Sequence, residues 1–435
     1  MNALPGHDPG ALRGVLEWVD ERFGPIQRLW GFSLLAPEPR WWVYGCDLAR
    51  LPVGTWCTPE HFGSAGASID PDEALQRALG EAVERYSGLV ESAATTRELL
   101  APADNPLADL FPVCAPDEAC PLSFKETRLE APVTHVRMQR LDTGREALAP
   151  AGHALLGFSP QPPEPMVALP ISTGLAFHVD LATAIWKGLC EVAERDAMML
   201  AWLTRRPLRP IDLSSAALPE DLATRLERLK SVRLSAYLFD MSTDFRVPTV
   251  FCLVTGERYP YTVVGAACHG DVAAACAKAL DEAASVRLGL TGEKWSKTIP
   301  SLDSFTWVRQ LEHHLALYAG WPSSPALDFL IHGDQAPLPF SDFAQQDWRQ
   351  TPVSLQDLTA LATRLEEADL TVLWTDLTAP EAEGFGRVVK VVVPQMVPMS
   401  QDHNARWLGT PRLLRHADLA RTSPRSFNPF PHPFA

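Results

Sequence analysis

The hydrophobic and polar positions of this chain repeat. Three helix-length segments share one arrangement: GASIDPDEALQRALGEAVERYSG (66 to 88), GLAFHVDLATAIWKGLCEVAERDA (174 to 197) and GAACHGDVAAACAKALDEAASVRLGL (265 to 290). Aligned on Glu81, Glu191 and Glu282, each has an Asp eleven residues earlier (Asp70, Asp180, Asp271) and an Ala seven earlier (Ala74, Ala184, Ala275). A basic residue stands four earlier (Arg77, Lys187, Lys278) and a Leu two earlier (Leu79, Leu189, Leu280), while Arg85, Arg195 and Arg287 follow at four or five. In the first copy Leu75, Leu79, Ala82 and Tyr86 fall on one helical face, and Arg77, Glu81, Glu84 and Arg85 on another, because residues three and four apart are neighbours. The second copy sets Ile185, Leu189, Val192 and Asp196 against Lys187, Glu191, Glu194 and Arg195. Asp70-Pro71 reads as a helix start, with Asp as cap and Pro at the first turn.

Elsewhere, residues 11 to 29 have helical spacing that ends near Gly24-Pro25. Strands are predicted at 40–45, 166–171, 249–254, 261–264, 370–375 and 387–393, the last a β-branched run closed by Pro394. Helices are predicted around 306–319 and 354–368. The fold class is α+β, with mixed sheets and the three repeated helices lining one site. The copies span too much of the chain to be separable domains, so the expected organisation is a helical arm over 1–44, one body over 45–420 and a tail over 421–435. Pro429, Pro431 and Pro433 favour extended polyproline geometry there. Composition alone predicts a frayed end.

Bulk composition narrows the classes. Apolar residues make up 46% of the 435, enough for a large core. With 38 basic against 53 acidic residues the net charge is −15, which disfavours a nucleic-acid backbone as partner. No apolar run is long enough to span a bilayer, and the first residues do not read as a signal peptide. The eight cysteines show no paired CxxC spacing, so a zinc site has little support and reduced thiols in a cytoplasmic protein are expected.

A Glu/Arg helix face is ordinarily solvated surface. Its recurrence as ExxER in two copies and ExxxxR in the third argues for shared chemistry: carboxylates and guanidinium groups at one level suit a polyanion with its metal ions. Magnesium takes hard oxygen ligands from one or two carboxylates plus phosphate oxygens. GSAGAS (63 to 68) is a small-residue approach whose amides could face an anion. It lacks the Lys-Ser/Thr ending of a P-loop. His178 and His269, each two before the repeated Asp, read as helix-start groups. Neither a Ser-His-Asp nor a Cys-His constellation can be assigned from spacing.

On these residues the chain resembles the YcaO family of ATP-dependent enzymes that activate peptide backbones. The resemblance runs over about 45 to 435 through ALGEAVERYSG, STGLAFHVDLATAIWKGLCEVAERDA, EAASVR, RVVKVVVPQMVP with a later GTPRL, and NPFPHPFA. The Pro-rich end is similar to that of the azoline-forming branch. The resemblance implies a cyclodehydratase making thiazolines and oxazolines from Cys, Ser or Thr in a ribosomal precursor peptide, with ATP and Mg2+. It implies that Glu81, Glu84, Glu191 and Glu194 hold magnesium. Arg77, Arg85, Lys187, Arg195, Glu282 and Arg287 would serve the nucleotide. Pro429, Pro431, Pro433 and Ala435 would bring the carboxyl terminus to the reacting centre. Implied partners are the precursor peptide, a separate ThiF-like or leader-binding protein, since 44 residues ahead of the matching region are too few for a docking domain, and a second copy in a homodimer. The chain departs from the family where Ala65 replaces a loop Lys, Arg77 a Ser, and Ala435 a terminal Pro; basic side chains are expected to substitute for the missing Lys. Two other readings stay open: thioamide or amidine formation by the same activation, and a non-catalytic scaffold.

Overall fold

The computed structural model describes residues 8–33, 36–51, 62–95, 97–101, 104–118, 131–214, 218–291, 299–322, 324–331, 333, 335–346, 348–419 and 427–434. Each repeated segment folds as a strand followed by a long helix. The units are β1 (Gly63–Ser68) with α1 (Pro71–Ala94), β2 (Leu175–His178) with α2 (Leu181–Thr204), and β3 (Thr262–Cys268) with α3 (Val272–Leu290).

The sheets explain why the repeat matters. β1 ends a three-stranded sheet beside Trp42–Leu48 and Ile26–Ser33; β2 ends a six-stranded sheet beside Arg387–Val392; β3 ends a five-stranded sheet beside Thr249–Gly256. Pairing is antiparallel throughout these ladders except where Leu338–Pro339 runs parallel to Arg209–Asp212. Each helix packs on its own strand and also reaches the strand of the next unit: α1 touches β2, α2 touches β3 and α3 returns to β1. The three units therefore close a ring. Ala74, Leu75, Ala78, Leu79 and Ala82 of α1 are buried, as are Ala184, Ile185 and Leu189 of α2 and Ala275, Ala279 and Leu280 of α3. The alanines let helix and strand approach closely. At Gly66 an added Cβ would meet Ala74 O at 2.2 Å, and at Gly265 it would meet Ala279 O at 2.3 Å.

The expected elements need several corrections. Residues 11 to 29 are not one helix: a short 3-10 helix spans Gly10–Trp18, and Ile26–Ser33 is a strand. The 44/45 boundary falls inside the strand Trp42–Leu48, whose partners lie on both sides of it. Residues 166–171 form no strand; β2 starts at Leu175 instead. GSAGAS is strand β1, not a loop. The strands Thr249–Gly256 and Thr262–Cys268, which pair antiparallel, the strands Leu373–Asp376 and Arg387–Val392, and the helices Leu311–Gly320 and Leu355–Glu366 overlap the segments expected for them. The tail is docked: Asn428 N–H donates to Leu203 O at 2.8 Å, and Pro431, His432, Pro433 and Phe434 are buried.

Candidate active site

The three helix starts are built alike. The Asp180 and Asp271 carboxylates accept the Thr183 and Ala274 amides at 2.8 and 2.7 Å, and Asp70 accepts those of Asp72 and Glu73. Before each cap, a side chain accepts the Asp amide itself: His178 Nδ1 at 3.1 Å, His269 Nδ1 at 3.0 Å and Ser68 Oγ at 3.2 Å. The two histidines are helix-start groups. Burial and the nearby Lys187 and Lys278 hold them below the usual imidazole range, so their free lone pairs accept.

About three turns further on, the aligned glutamates each accept an amide of their own unit, from the strand in the first and third and from Gly174 just before β2 in the second. Glu81 Oε2 takes Ala65 N–H at 2.9 Å, Glu191 Oε2 takes Gly174 N–H at 3.0 Å, and Glu282 Oε2 takes Ala266 N–H at 2.7 Å. The GSAGAS amide at Ala65 thus serves Glu81. The second glutamates bridge units: Glu84 Oε2 accepts Phe177 N–H of β2 at 3.3 Å, and Glu194 Oε2 accepts Cys268 N–H of β3 at 3.0 Å. In α3 the matching position is Ser285, so the ring is closed differently. Asp281 of α3 takes Arg77 Nη1 of α1 at 2.8 Å.

At the α1–α2 junction lies a cavity of about 420 Å³. Glu81, Glu84, Arg85, Lys187, Glu191 and Arg195 line it, with Ser172, Thr173, Gln310, Glu312, Met399 and Gln401 opposite. Arg85 Nη2 pairs with Glu81 at 3.1 Å, while Arg195 stands 3.8 Å from Glu191 and 3.6 Å from Glu194. Arg85 Nε and Arg195 Nε are buried without a hydrogen-bond partner among the described residues. Such donors fit an anion, since a buried unpaired donor costs about 1–3 kcal/mol.

The acids are crowded as well. Removal from bulk water, with Glu191 and Glu81 nearby, pushes Glu84 up to about 8. Burial, opposed by Arg195 but aided by Glu282 and Glu191, pushes Glu194 up to about 8. A divalent cation would relieve this repulsion. Among the described residues no three acidic, histidine or cysteine side chains form a ready-made metal cluster. Magnesium keeps waters and phosphate oxygens and takes one or two carboxylates, so it needs no such cluster. The residues present fit ATP with Mg2+: one or two of the carboxylates of Glu81, Glu84 and Glu191 would hold the metal beside phosphate oxygens, and Arg85, Arg195 and Lys187 would hold the phosphates.

These shifts carry a testable sign. Between the unperturbed value of 4.5 and about 8, the folded metal-free chain binds more protons at Glu84 and Glu194 than the unfolded chain. The contribution of these two groups to stability must then fall as pH rises through that window, while buried histidines such as His314 and His403, held below their usual value of 6.5, contribute with the opposite sign in its lower half. Thermal melts of the metal-free protein and of Glu84→Gln between about pH 5 and pH 8 isolate this carboxyl, and the wild type should lose stability relative to the variant as pH rises. Equal slopes in the two proteins would refute the crowding.

The sequence-derived residues separate into two groups. Glu81, Glu84, Arg85, Lys187, Glu191 and Arg195 converge on the cavity; Glu194 stands beside Arg195, and Glu282 lies within electrostatic reach of that same arginine. Lys187 also donates to Phe177 O at 3.0 Å. Two residues go elsewhere. Arg77 is engaged by Asp281, Glu73 and Ala67 O, and Arg287 is held by Glu38 at 2.6 Å and by Pro260 O. Neither lines the cavity, and no α3 residue does, so α1 and α2 build it with α3 behind them. Pro431 and Pro433 are buried and Pro429 is exposed, while Ala435 lies outside the described residues.

Lys390 lies outside the three repeats, in the strand Arg387–Val392. Its Nζ donates to Ile171 O at 2.8 Å and Thr173 O at 2.7 Å, fixing the loop that lines the cavity. Burial, opposed by Glu191 and Glu84, brings it down to about 8. A lone Lys inside the run RVVKVVV was the available signal, because a buried ammonium needs fixed partners.

A cavity with crowded carboxylates and unpaired guanidinium donors, set between two repeated strand–helix units, defines a metal-assisted polyanion site of the nucleotide-binding class. The family model for YcaO cyclodehydratase, described as ATP- and Mg2+-binding, matches residues 64–397, and the chain belongs to the YcaO family. A relative from Rhizobium leguminosarum bv. trifolii, called an uncharacterized protein in the tfuA 3' region, is 26% identical over 318 residues, covering 66% of this chain and 71% of its own. A heterocyclase solved in complex with substrate and cofactor superposes with a TM-score of 0.73 at 20% identity, covering 99% of this chain. This chain spans only 57% of that heterocyclase's length. The E. coli microcin synthetase McbBCD complex with pro-MccB17 bound contains a chain similar to this one at TM-score 0.57 and 15% identity, covering 87% and 90% of the two chains. Among the described residues no helix is long and apolar enough to cross a membrane.

Proposed function

We propose that this protein is an ATP-dependent peptide cyclodehydratase that forms thiazoline or oxazoline rings from Cys, Ser or Thr in a ribosomal precursor peptide. The supporting observation is the convergence of Glu81, Glu84 and Glu191 with Arg85 and Arg195 on one cavity, the two arginines each keeping a buried Nε without a hydrogen-bond partner among the described residues. The substrate thiol or hydroxyl adds to the preceding amide carbonyl. The amide oxygen takes the γ-phosphoryl group of ATP and departs as phosphate, leaving ADP and the azoline. Bound Mg2+ supplies Lewis acidity and neutralises phosphate charge. Arg85 and Arg195 stabilise charge on the transferring group, and Glu191 sets the field in which both act. Lys390 holds the 171–173 wall in place. The docked Pro429–Pro433 tail is assigned the role of carrying the carboxyl terminus toward the reacting centre.

A separate leader-binding protein, ThiF-like in kind, is proposed to deliver the peptide, and a homodimer is the proposed state. The test combines the chain, such a partner, ATP, Mg2+ and a Cys-rich precursor. Mass spectrometry should show loss of one water per ring together with ADP formation. ATP turnover that leaves the peptide mass unchanged would overturn the ring-forming assignment.

A further inference from the structure

Two parts of the cavity wall lie far apart in sequence: Gln310, Leu311 and Glu312 at the start of helix Leu311–Gly320, and Met399 with Gln401 on the segment after the strand Arg387–Val392. One buried side chain joins them to the tail. His314 sits one turn into that helix. Its Nδ1 lies 2.7 Å from His432 O and its Nε2 lies 3.2 Å from Gln401 O. Its ring stacks on that of His432 at 3.9 Å and 19°. His432 Nε2 in turn lies 2.6 Å from Ser400 O. The same helix presents Tyr318, whose hydroxyl donates to Pro431 O at 2.6 Å. Tail and wall segment thus bind the same helix and each other through one imidazole pair.

We propose that His314 is a positioning residue that couples tail docking to the cavity wall, so that releasing the tail reshapes the wall formed by Met399 and Gln401. The contacts make the two a single unit. If the tail leaves, Ser400 O loses its partner on His432, and His314 loses both its stacking ring and its shorter hydrogen bond. Both ring nitrogens of His314 face carbonyl oxygens. A neutral imidazole carries one N–H, so it satisfies one of the two carbonyls. A side-chain amide, with two donor hydrogens on one nitrogen, is the conservative replacement.

The significance for catalysis rests on the proposed function, but the coupling is tested without nucleotide. In the full chain, Tyr318→Phe removes a tail bond at a residue that does not itself line the cavity. Hydrogen exchange across the tail should accelerate about fivefold, the change expected for one lost hydrogen bond. The ε-methyl resonance of Met399, assigned by its loss in Met399→Leu, should move in the same variant. His314→Ala should do both, and His314→Gln should return both toward the wild-type values. With ATP and peptide, His314→Ala should change kcat more than the KM for ATP, and His314→Gln should recover it. A tail that loosens in Tyr318→Phe while Met399 stays in place would overturn the coupling. So would a His314→Gln variant indistinguishable from His314→Ala. A protein that turns over no ATP would remove the functional reading alone, because the exchange and methyl measurements need none.

Discussion

Replacing Glu191 by Gln is expected to lower ATP turnover by about 100- to 1,000-fold, the range for losing one fixed charge-stabilising group in an active site. Glu191 is the electrostatic centre of the cavity. It raises Glu84 and Glu194, and it supports the charged forms of Lys187 and Lys390. Gln keeps the volume and the oxygen that accepts Gly174 N–H, so the backbone there is retained. That amide matters locally: Gly174 sits at φ +82, and a Cβ on it would lie 2.1 Å from Val391 O. The variant should therefore melt within a few degrees of wild type, since only charge is removed. It should also bring Glu84 back toward the ordinary carboxylate range, because a principal source of repulsion has gone. Turnover with Mg2+ and a thermal melt check both parts. Wild-type turnover in Glu191→Gln would end the assignment of this cavity to the phosphates.

How far the sequence foretold this site depends on which interactions are local. The spacing between Asp, basic residue, Glu and Arg is a property of one helix, and helical geometry alone brings Glu81 beside Arg85 and Glu191 beside Arg195. Those residues were legible. Arg77 and Arg287 stand at repeated positions too, yet their partners are 204 and 249 residues away at Asp281 and Glu38. Periodicity carries no information about such contacts. The resemblance to a family assigns both arginines to the nucleotide, and this chain commits Arg287 to a buried pair with Glu38 and Arg77 to a half-buried one with Asp281. The tail failed for a related reason. Composition implies a frayed end, because polyproline geometry has no internal hydrogen bonds to hold it, but Trp202 and Tyr318 offer donors to its carbonyl oxygens. The sheets were half-legible. β-Branched runs located Thr249–Gly256 and Arg387–Val392 but not Ile26–Ser33 or the small-residue strand β1, and the placement of β1, β2 and β3 at the edges of three different sheets follows from long-range pairing.

The largest stability effect should come from Arg412, outside the cavity but tied to it. Its guanidinium is buried and pairs with Asp196 through Nε and Nη2 at 2.8–3.0 Å, and with Asp244 at 2.6 and 3.0 Å. Asp196 is fully buried, follows Arg195 on α2, and accepts Val397 N–H at 2.9 Å. Arg412→Leu leaves that carboxylate without its cation and should cost about 3–5 kcal/mol in chemical denaturation. Much of that loss belongs to the stranded charge. The double variant Asp196→Asn with Arg412→Leu keeps an acceptor for Val397 and removes the charge, so it should be clearly more stable than Arg412→Leu alone. Val397 leads directly to the Met399–Gln401 wall, and Arg195 adjoins Asp196. Turnover should therefore follow stability in the single variant and recover in the double. If the double variant is the less stable of the two, the carboxylate is not paying a desolvation cost and the network holds α2 by packing instead.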